Sequence, residues 1–307
     1  MCNIYPYLGV SSPFDPSNLH VTSQALTPFN LALLRLAIAF YTFVTLIVTI
    51  VHDSVVDNGG PSYFSYFTHL TYVGICAYYW AAGTQTFVFA RNIRKREGAS
   101  WLVSSASEKA GDRDVEDRMM YPLQSWPRPL QALHVWLQTT IYVFPILVTI
   151  VYWGLLASSE SFSTPYQAYS NTSVHILNTA FALTDILFSR TPPIPWLMLP
   201  LVFLALAGYL GVAYLTRATQ GIYPYEFLNP AKAHQLLAAY IIGIAIAYCI
   251  IFIIIRGIII IRGGRLRTLR WNFWRKGRRA NSEGLEDWEE VEAPGRERGS
   301  MSPSKEV

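Results

Sequence analysis

The chain has 307 residues, of which 52% are hydrophobic and only 14% charged, with a net charge of +4. Soluble domains carry about 25% charged residues, so this composition excludes an ordinary water-soluble globular domain and points to a membrane protein. The three cysteines, Cys2, Cys76 and Cys249, lie far apart. That spacing excludes a disulfide framework and a C-x-x-C metal site, and neither a metal nor a cofactor is expected.

Residues 1–28 hold no Lys or Arg and are rich in Ser, Pro and Asn, which predicts a loose cytosolic arm. They lack the basic flank and short apolar core of a cleavable signal. Six stretches follow, residues 30–51, 64–89, 131–157, 171–189, 196–215 and 236–261. Each approaches or exceeds the roughly 20 apolar residues that cross a bilayer. The first carries Arg35 near its start, where it is expected to snorkel to the interface. Asn58-Gly59-Gly60-Pro61 is a turn signal that makes the first two spans neighbours. The second ends in Arg91, Arg94, Lys95 and Arg96 and opens a polar segment, about 91–130, that reads as a cytosolic surface loop with local disorder. The link at 158–170 again has no Lys or Arg. The fourth span is the most polar, and its amphipathic pattern and the topology it completes are what place it.

A rigid turn, Arg190-Thr191-Pro192-Pro193-Ile194-Pro195, leads to the fifth span. The sixth has Ala239, Gly243 and Ala247 at intervals of four, a face that allows close approach of another helix. Arg256, near its end, is expected to snorkel to the cytosolic surface. The basic run after Arg262 interleaves Trp271, Phe273 and Trp274. Its position directly after a span assigns it to anionic lipid headgroups rather than to nucleic acid. The acidic remainder of 262–307 is expected to be disordered. An inward amino terminus puts eight basic residues of the 91–130 loop, Arg190 and the basic tail in the cytosol, leaving only Arg217 and Lys232 opposite. The expected fold is an all-α integral membrane protein, a six-helix transmembrane bundle spanning 29–261 with both termini cytosolic. An endomembrane such as the endoplasmic reticulum, or the plasma membrane, is the expected location.

Read as a helix, residues 171–185 put Asn171, His175, Asn178, Ala182 and Asp185 on one face. In a bilayer such a polar stripe turns toward the bundle interior or a wet cavity. His175 falls about one turn inside the non-cytosolic start of its span. Thr68, Thr71 and Tyr72 share a face at a similar depth in the second span. The fifth span leads, on that side, into Gly221-Ile222-Tyr223-Pro224-Tyr225-Glu226. Three polar clusters thus converge on one leaflet. A Thr hydroxyl becomes a nucleophile when a base takes its proton, and His has a suitable pKa. His175 can then protonate the leaving alcohol, which leaves an acyl-threonine for water to hydrolyse. Asn171 or Asn178, one turn to either side, can orient the ring or donate to an oxyanion. His69 adjoins Thr68 but points to a different face. His52-Asp53 can border the site, and His20, His134 and His234 read as loop or interface residues. Asp185 is expected to pair with Arg190. The competing account of a membrane Thr is a bond to its own preceding-turn carbonyl. The competing account of the chain is a transporter or scaffold, although no internal repeat is present and the polar residues cluster near one face.

The tracts Phe64-Ser-Tyr-Phe-Thr68-His-Leu-Thr71, Asn171-x-x-x-His175 and Gly221-x-Tyr223-Pro224, with Phe227-Leu228 after it, come in an order and on spans that resemble the androgen-induced protein family. That resemblance covers roughly residues 30–260. It implies a multi-span membrane hydrolase whose Thr and His cleave fatty acid esters of hydroxy fatty acids. It places the nucleophile on Thr68, with Thr71 in reserve, and the base on His175; Tyr223 is a candidate for support, though it and Tyr225 read most simply as part of an interfacial aromatic belt. Two departures from the family pattern are the long basic loop after the second span and the absence of a Trp before Tyr223-Pro224.

Overall fold

The computed structural model describes residues 3–56, 59–103 and 120–289, the side chains of 97–103 and 265–289 excepted. It divides into two units, Met1–Gly263 and Gly264–Val307. Among the described residues every regular element is helical, and Ser23 and Ser189 form an isolated β-bridge.

Helix α1, Pro28–Val55, begins where the Thr27 hydroxyl accepts from the Asn30 N–H and Pro28 supplies a helical φ at the first position. It packs along helix α2, Phe67–Val103. Gly83 permits the close approach, since a Cβ there would lie 2.9 Å from Leu36 Cδ2. Helix α3, Arg128–Val151, runs on into a π turn, Tyr152–Leu156. The fourth segment is broken into α4, Pro165–Thr172, a second π turn, Ser173–Leu177, and α5, Asn178–Phe188. Helix α6, Met198–Gln220, stops at Gly221, whose φ of 77° suits glycine at a helix end. A short α7, Pro230–Ala233, precedes α8, Leu236–Glu289.

Among the described residues four helices are long and apolar enough to cross a membrane: Pro28–Val55, Arg128–Leu156, Met198–Gln220 and Leu236–Gly264. The other two expected spans correspond to α2, which runs on into basic sequence, and to α4–α5, which is polar and interrupted. Helix α1 shows the solvent this surface is built for. Phe40, Phe43, Ile47 and Val51 are exposed, while Arg35, Thr42, Thr45 and Thr49 are buried. Apolar side chains outside and polar ones inside is the pattern of a helix facing hydrocarbon.

The first 28 residues are not a loose arm. Val10, Phe14 and Val21 are buried in the core. The Asp15 carboxylate accepts from the Leu19 and His20 N–H groups at 2.7 and 3.0 Å, and from the Tyr121 hydroxyl at 2.6 Å. Gln124 closes the clasp by donating to the Asp15 carbonyl at 3.0 Å. A polar segment is ordered here because one carboxylate and three apolar side chains find partners. The 91–130 segment is likewise less of a loop than its composition predicts, since 91–103 extends α2 and Leu123 is buried. Residues 104–119 lie outside the described residues. So does the expected disorder of 290–307, whereas α8 carries helix through Glu289.

His20 is buried, not a surface loop residue, and stacks on Phe14 with centroids 5.4 Å apart. Burial holds its pKa below the ordinary value of 6.5; nearby Arg35 adds to this, while Asp15 and Asp185 oppose it. A depressed histidine pKa means that the undocked arm binds the proton first. Docking is therefore at full strength above pH about 6.5 and weakens as pH falls below it. Hydrogen-exchange protection of residues 3–27, taken relative to the intrinsic rate at each pH, is expected to fall between about pH 7 and pH 5, with His20→Gln flattening that dependence. A wild-type arm equally protected across the range would contradict this account.

Candidate active site

Thr68 is the second residue of α2 and is buried. The residue before the helix, Tyr66, is extended and brings no short acceptor side chain to cap it. The first N–H groups of α2 are therefore open to partners from elsewhere. Thr68 lies on the wall of a cavity of about 150 Å³ with an almost wholly apolar lining that includes Val151, Tyr152, Leu206, Phe227 and Ile244. Tyr225 also lines this cavity. Its ring meets Tyr66 edge-on at 5.8 Å and lies 6.4 Å from that of Tyr209, which sets the phenol near the start of α2, beside Thr68. Burial raises the Tyr225 pKa above its ordinary value, so it stays protonated at neutral pH. The Tyr209 hydroxyl itself donates to the Ser65 carbonyl at 2.9 Å.

His175 sits at the centre of the Ser173–Leu177 π turn and is buried. Its ring stacks on Tyr152, centroids 3.6 Å apart and planes 7° from parallel. Tyr152 opens the other π turn, so both members of the stack stand on backbone that departs from α geometry. Such turns recur at functional sites. The Thr149 hydroxyl donates to the His175 carbonyl at 2.6 Å. His175 Nδ1, the Thr71 hydroxyl and the Tyr152 hydroxyl are all buried without a hydrogen-bond partner. Buried polar atoms are rarely left unpaired, and such exceptions ask for a reason. The Ser173–Leu177 turn packs against α2. Tyr152 links the two residues, lining the Thr68 cavity with one part of its surface and stacking on the His175 imidazole with its ring. No direct Thr68–His175 hydrogen bond is present.

The other anticipated residues divide. His69 is committed elsewhere: its Nδ1 is 2.8 Å from the Tyr63 carbonyl oxygen and its ring stacks on Tyr63. His52 stacks on Tyr166. Asn171 donates to the Ser161 carbonyl at 2.7 Å and so tethers the preceding turn. Asn178 Oδ1 accepts from the Thr149 hydroxyl at 3.1 Å and the Thr179 N–H at 2.6 Å. These bonds fix the helix around His175 rather than its ring. Tyr223 lies under the Arg217 guanidinium, 5.1 Å from its ring centroid, and edge-on to Tyr214. Tyr225, two residues on, occupies the position expected of Tyr223. A link without periodicity gives no register by which the sequence could have told them apart.

A second polar cluster lies near the middle of α2. Thr86, one of its members, is roughly 27 Å along the helix from Thr68 at 1.5 Å per residue. Arg35 does not snorkel: it is 1% exposed, and its Nε donates to Asp185 Oδ1 at 2.8 Å. Its Nη1 donates to the His20 carbonyl at 2.8 Å and the Thr86 hydroxyl at 2.7 Å. Asp185 therefore pairs with Arg35 and not with Arg190. Its Oδ2 accepts from the Tyr78 and Tyr142 hydroxyls, each at 2.7 Å. His134 is buried beside this cluster, its ring 5.8 Å from that of Tyr78.

Among the described residues no three His, Cys, Asp or Glu side chains come together in a way that could hold a metal ion. Comparison of the chain with protein-family models, curated proteins and solved structures finds no match.

Proposed function

We propose that the chain is a membrane-embedded lipid ester hydrolase with Thr68 as nucleophile and His175 as general base. On this reading α2 and α4–α5 complete a six-helix bundle with both termini in the cytosol. The basic segment after Arg262 then meets anionic headgroups of an endomembrane or the plasma membrane. The resemblance to androgen-induced proteins suggests fatty acid esters of hydroxy fatty acids as substrates.

One observation carries the reading. A buried threonine hydroxyl lines an apolar cavity at a helix N-terminus, and a buried imidazole with an unpartnered nitrogen lies on the turn packed against that helix. The apolar lining suits acyl chains. The first step forms the bond from Thr68 Oγ to the ester carbonyl carbon as the hydroxyl proton passes to His175. Catalytic hydrogen bonds that are long in an empty site tighten when substrate binds, and this step needs that closure. The tetrahedral intermediate expels the alcohol, which takes the proton from His175. Water, deprotonated by His175, then bonds to the acyl carbon, and the Thr68 Oγ–C bond breaks as His175 returns the proton to Oγ.

The test is hydrolysis of a panel of long-chain esters by the purified protein in nanodiscs, together with Thr68→Ala. Wild type is expected to turn over many times and to take up a fluorophosphonate probe on Thr68, with both properties lost in the variant. Equal turnover by the two proteins, or no turnover by wild type on any ester, would end this reading.

A further inference from the structure

We propose that Tyr225 is a further catalytic residue of this site, its phenol donating the hydrogen bond that holds the oxyanion formed when Thr68 attacks an ester carbonyl. This rests on the threonine-esterase reading above and adds a group that neither the spacing of the motifs nor the resemblance supplies.

The argument is geometric. The oxyanion grows on the carbon that bonds to Thr68 Oγ, so it appears about one hydrogen-bond length from any donor already in reach of that oxygen. The Tyr225 phenol is such a donor, because Tyr225 and Thr68 line the same apolar cavity and Tyr225 packs against Tyr66, two residues before Thr68. Its position is fixed by neighbouring rings. It meets Tyr66 edge-on at 5.8 Å, Tyr209 at 6.4 Å, and stacks on Phe227 at 5.2 Å. The Phe67 and Thr68 N–H groups lie near its oxygen. These are the uncapped first amides of a 37-residue helix, where the backbone presents partial positive charge. Partial positive charge beside the phenol oxygen polarises its O–H and strengthens the bond that O–H makes. Tyr225 thus passes the potential of the α2 N-terminus to the reacting oxygen.

The step balances without net transfer to Tyr225. As the Oγ–C bond forms, the carbonyl π pair moves onto oxygen and the threonine proton goes to His175. Tyr225 keeps its proton throughout and only shortens its hydrogen bond. On collapse the pair returns to remake C=O, and the departing alkoxide takes the proton from His175. Tyr209 is poorly placed for the same task, since its hydroxyl is spent on the Ser65 carbonyl.

The experiment compares wild type, Tyr225→Phe, Tyr223→Phe and Thr68→Ala in nanodiscs. Tyr225→Phe is expected to lower kcat roughly 10²- to 10³-fold with KM nearly unchanged. Its affinity for a long-chain trifluoromethyl ketone, which forms a hemiketal oxyanion on Thr68, should fall by a similar factor. Affinity for the isosteric ether, which forms no oxyanion, should hold. Tyr223→Phe should keep wild-type kcat. If Tyr225→Phe turns over normally while Thr68→Ala is dead, the proposal fails and the esterase reading stands. If ketone and ether lose affinity alike, Tyr225 only shapes the cavity and the proposal fails. A wild type without esterase activity overturns both.

Discussion

His175→Ala is expected to lower kcat for a long-chain ester by roughly 10³-fold, within the range that a positioned acid–base group contributes. The size of the effect follows from the lack of a substitute. His69, the nearest rival in sequence, is held by its contact with the Tyr63 carbonyl and its stack on the Tyr63 ring. Recruiting it would mean breaking both. His175 by contrast has a buried Nδ1 with no partner to give up. Because nucleophile and base act as a unit, the Thr68→Ala/His175→Ala double variant should be no slower than Thr68→Ala alone. Loss of the stack on Tyr152 could also lower activity by loosening the turn. Added imidazole distinguishes the two, since it restores a missing base but not a collapsed turn. Activity of His175→Ala within tenfold of wild type would remove His175 from the mechanism.

The polar face of the fourth segment is readable in the sequence because helical periodicity is local. Four residues on, one turn on, the same face: that rule put Asn171, His175 and Asn178 together before any packing was known. The helix breaks at His175 and Tyr152 were not readable. A π turn depends on a carbonyl finding another donor, and the donor for His175, the Thr149 hydroxyl, comes from a different helix. The same limit explains Arg35. Near the start of a span a lone arginine usually reaches for the interface. What overrides that habit is an aspartate 150 positions away, plus Tyr78, Tyr142 and Thr86 arriving from two further helices. The arm was misjudged for a related reason. Its composition describes how a free chain behaves, whereas its order comes from Asp15 meeting Tyr121 across 106 residues.

Arg35→Ala is expected to destabilise the bundle by about 3–5 kcal/mol, the cost of leaving one member of a buried ion pair alone. The environment leaves Asp185 little relief. It is 2% exposed, Arg35 is its ion-pair partner among the described residues, and nearby Arg262 is engaged by the Ile186 and Thr191 carbonyls. The Tyr78 and Tyr142 hydroxyls would still donate to Oδ2, but the Thr86 hydroxyl and the His20 carbonyl would each lose a partner. The His20 carbonyl ties the amino-terminal arm to the cluster, so the arm should loosen first and global unfolding should follow. Thermal unfolding in nanodiscs, read alongside hydrogen exchange in residues 3–27, measures both. Arg35→Leu/Asp185→Leu removes both charges and fills the space with apolar atoms. It should therefore recover much of the lost stability, because a buried pair is often no better than its hydrophobic replacement. Arg35→Ala unfolding within about 1 kcal/mol of wild type would mean that water or another group reaches Asp185. If instead the single and double variants are equally unstable, the cluster acts by shape and not by charge. Activity offers an independent reading. Asp185 lies on the helix that continues from His175, so a double variant that folds but turns over slowly would show that this cluster also sets the position of the base.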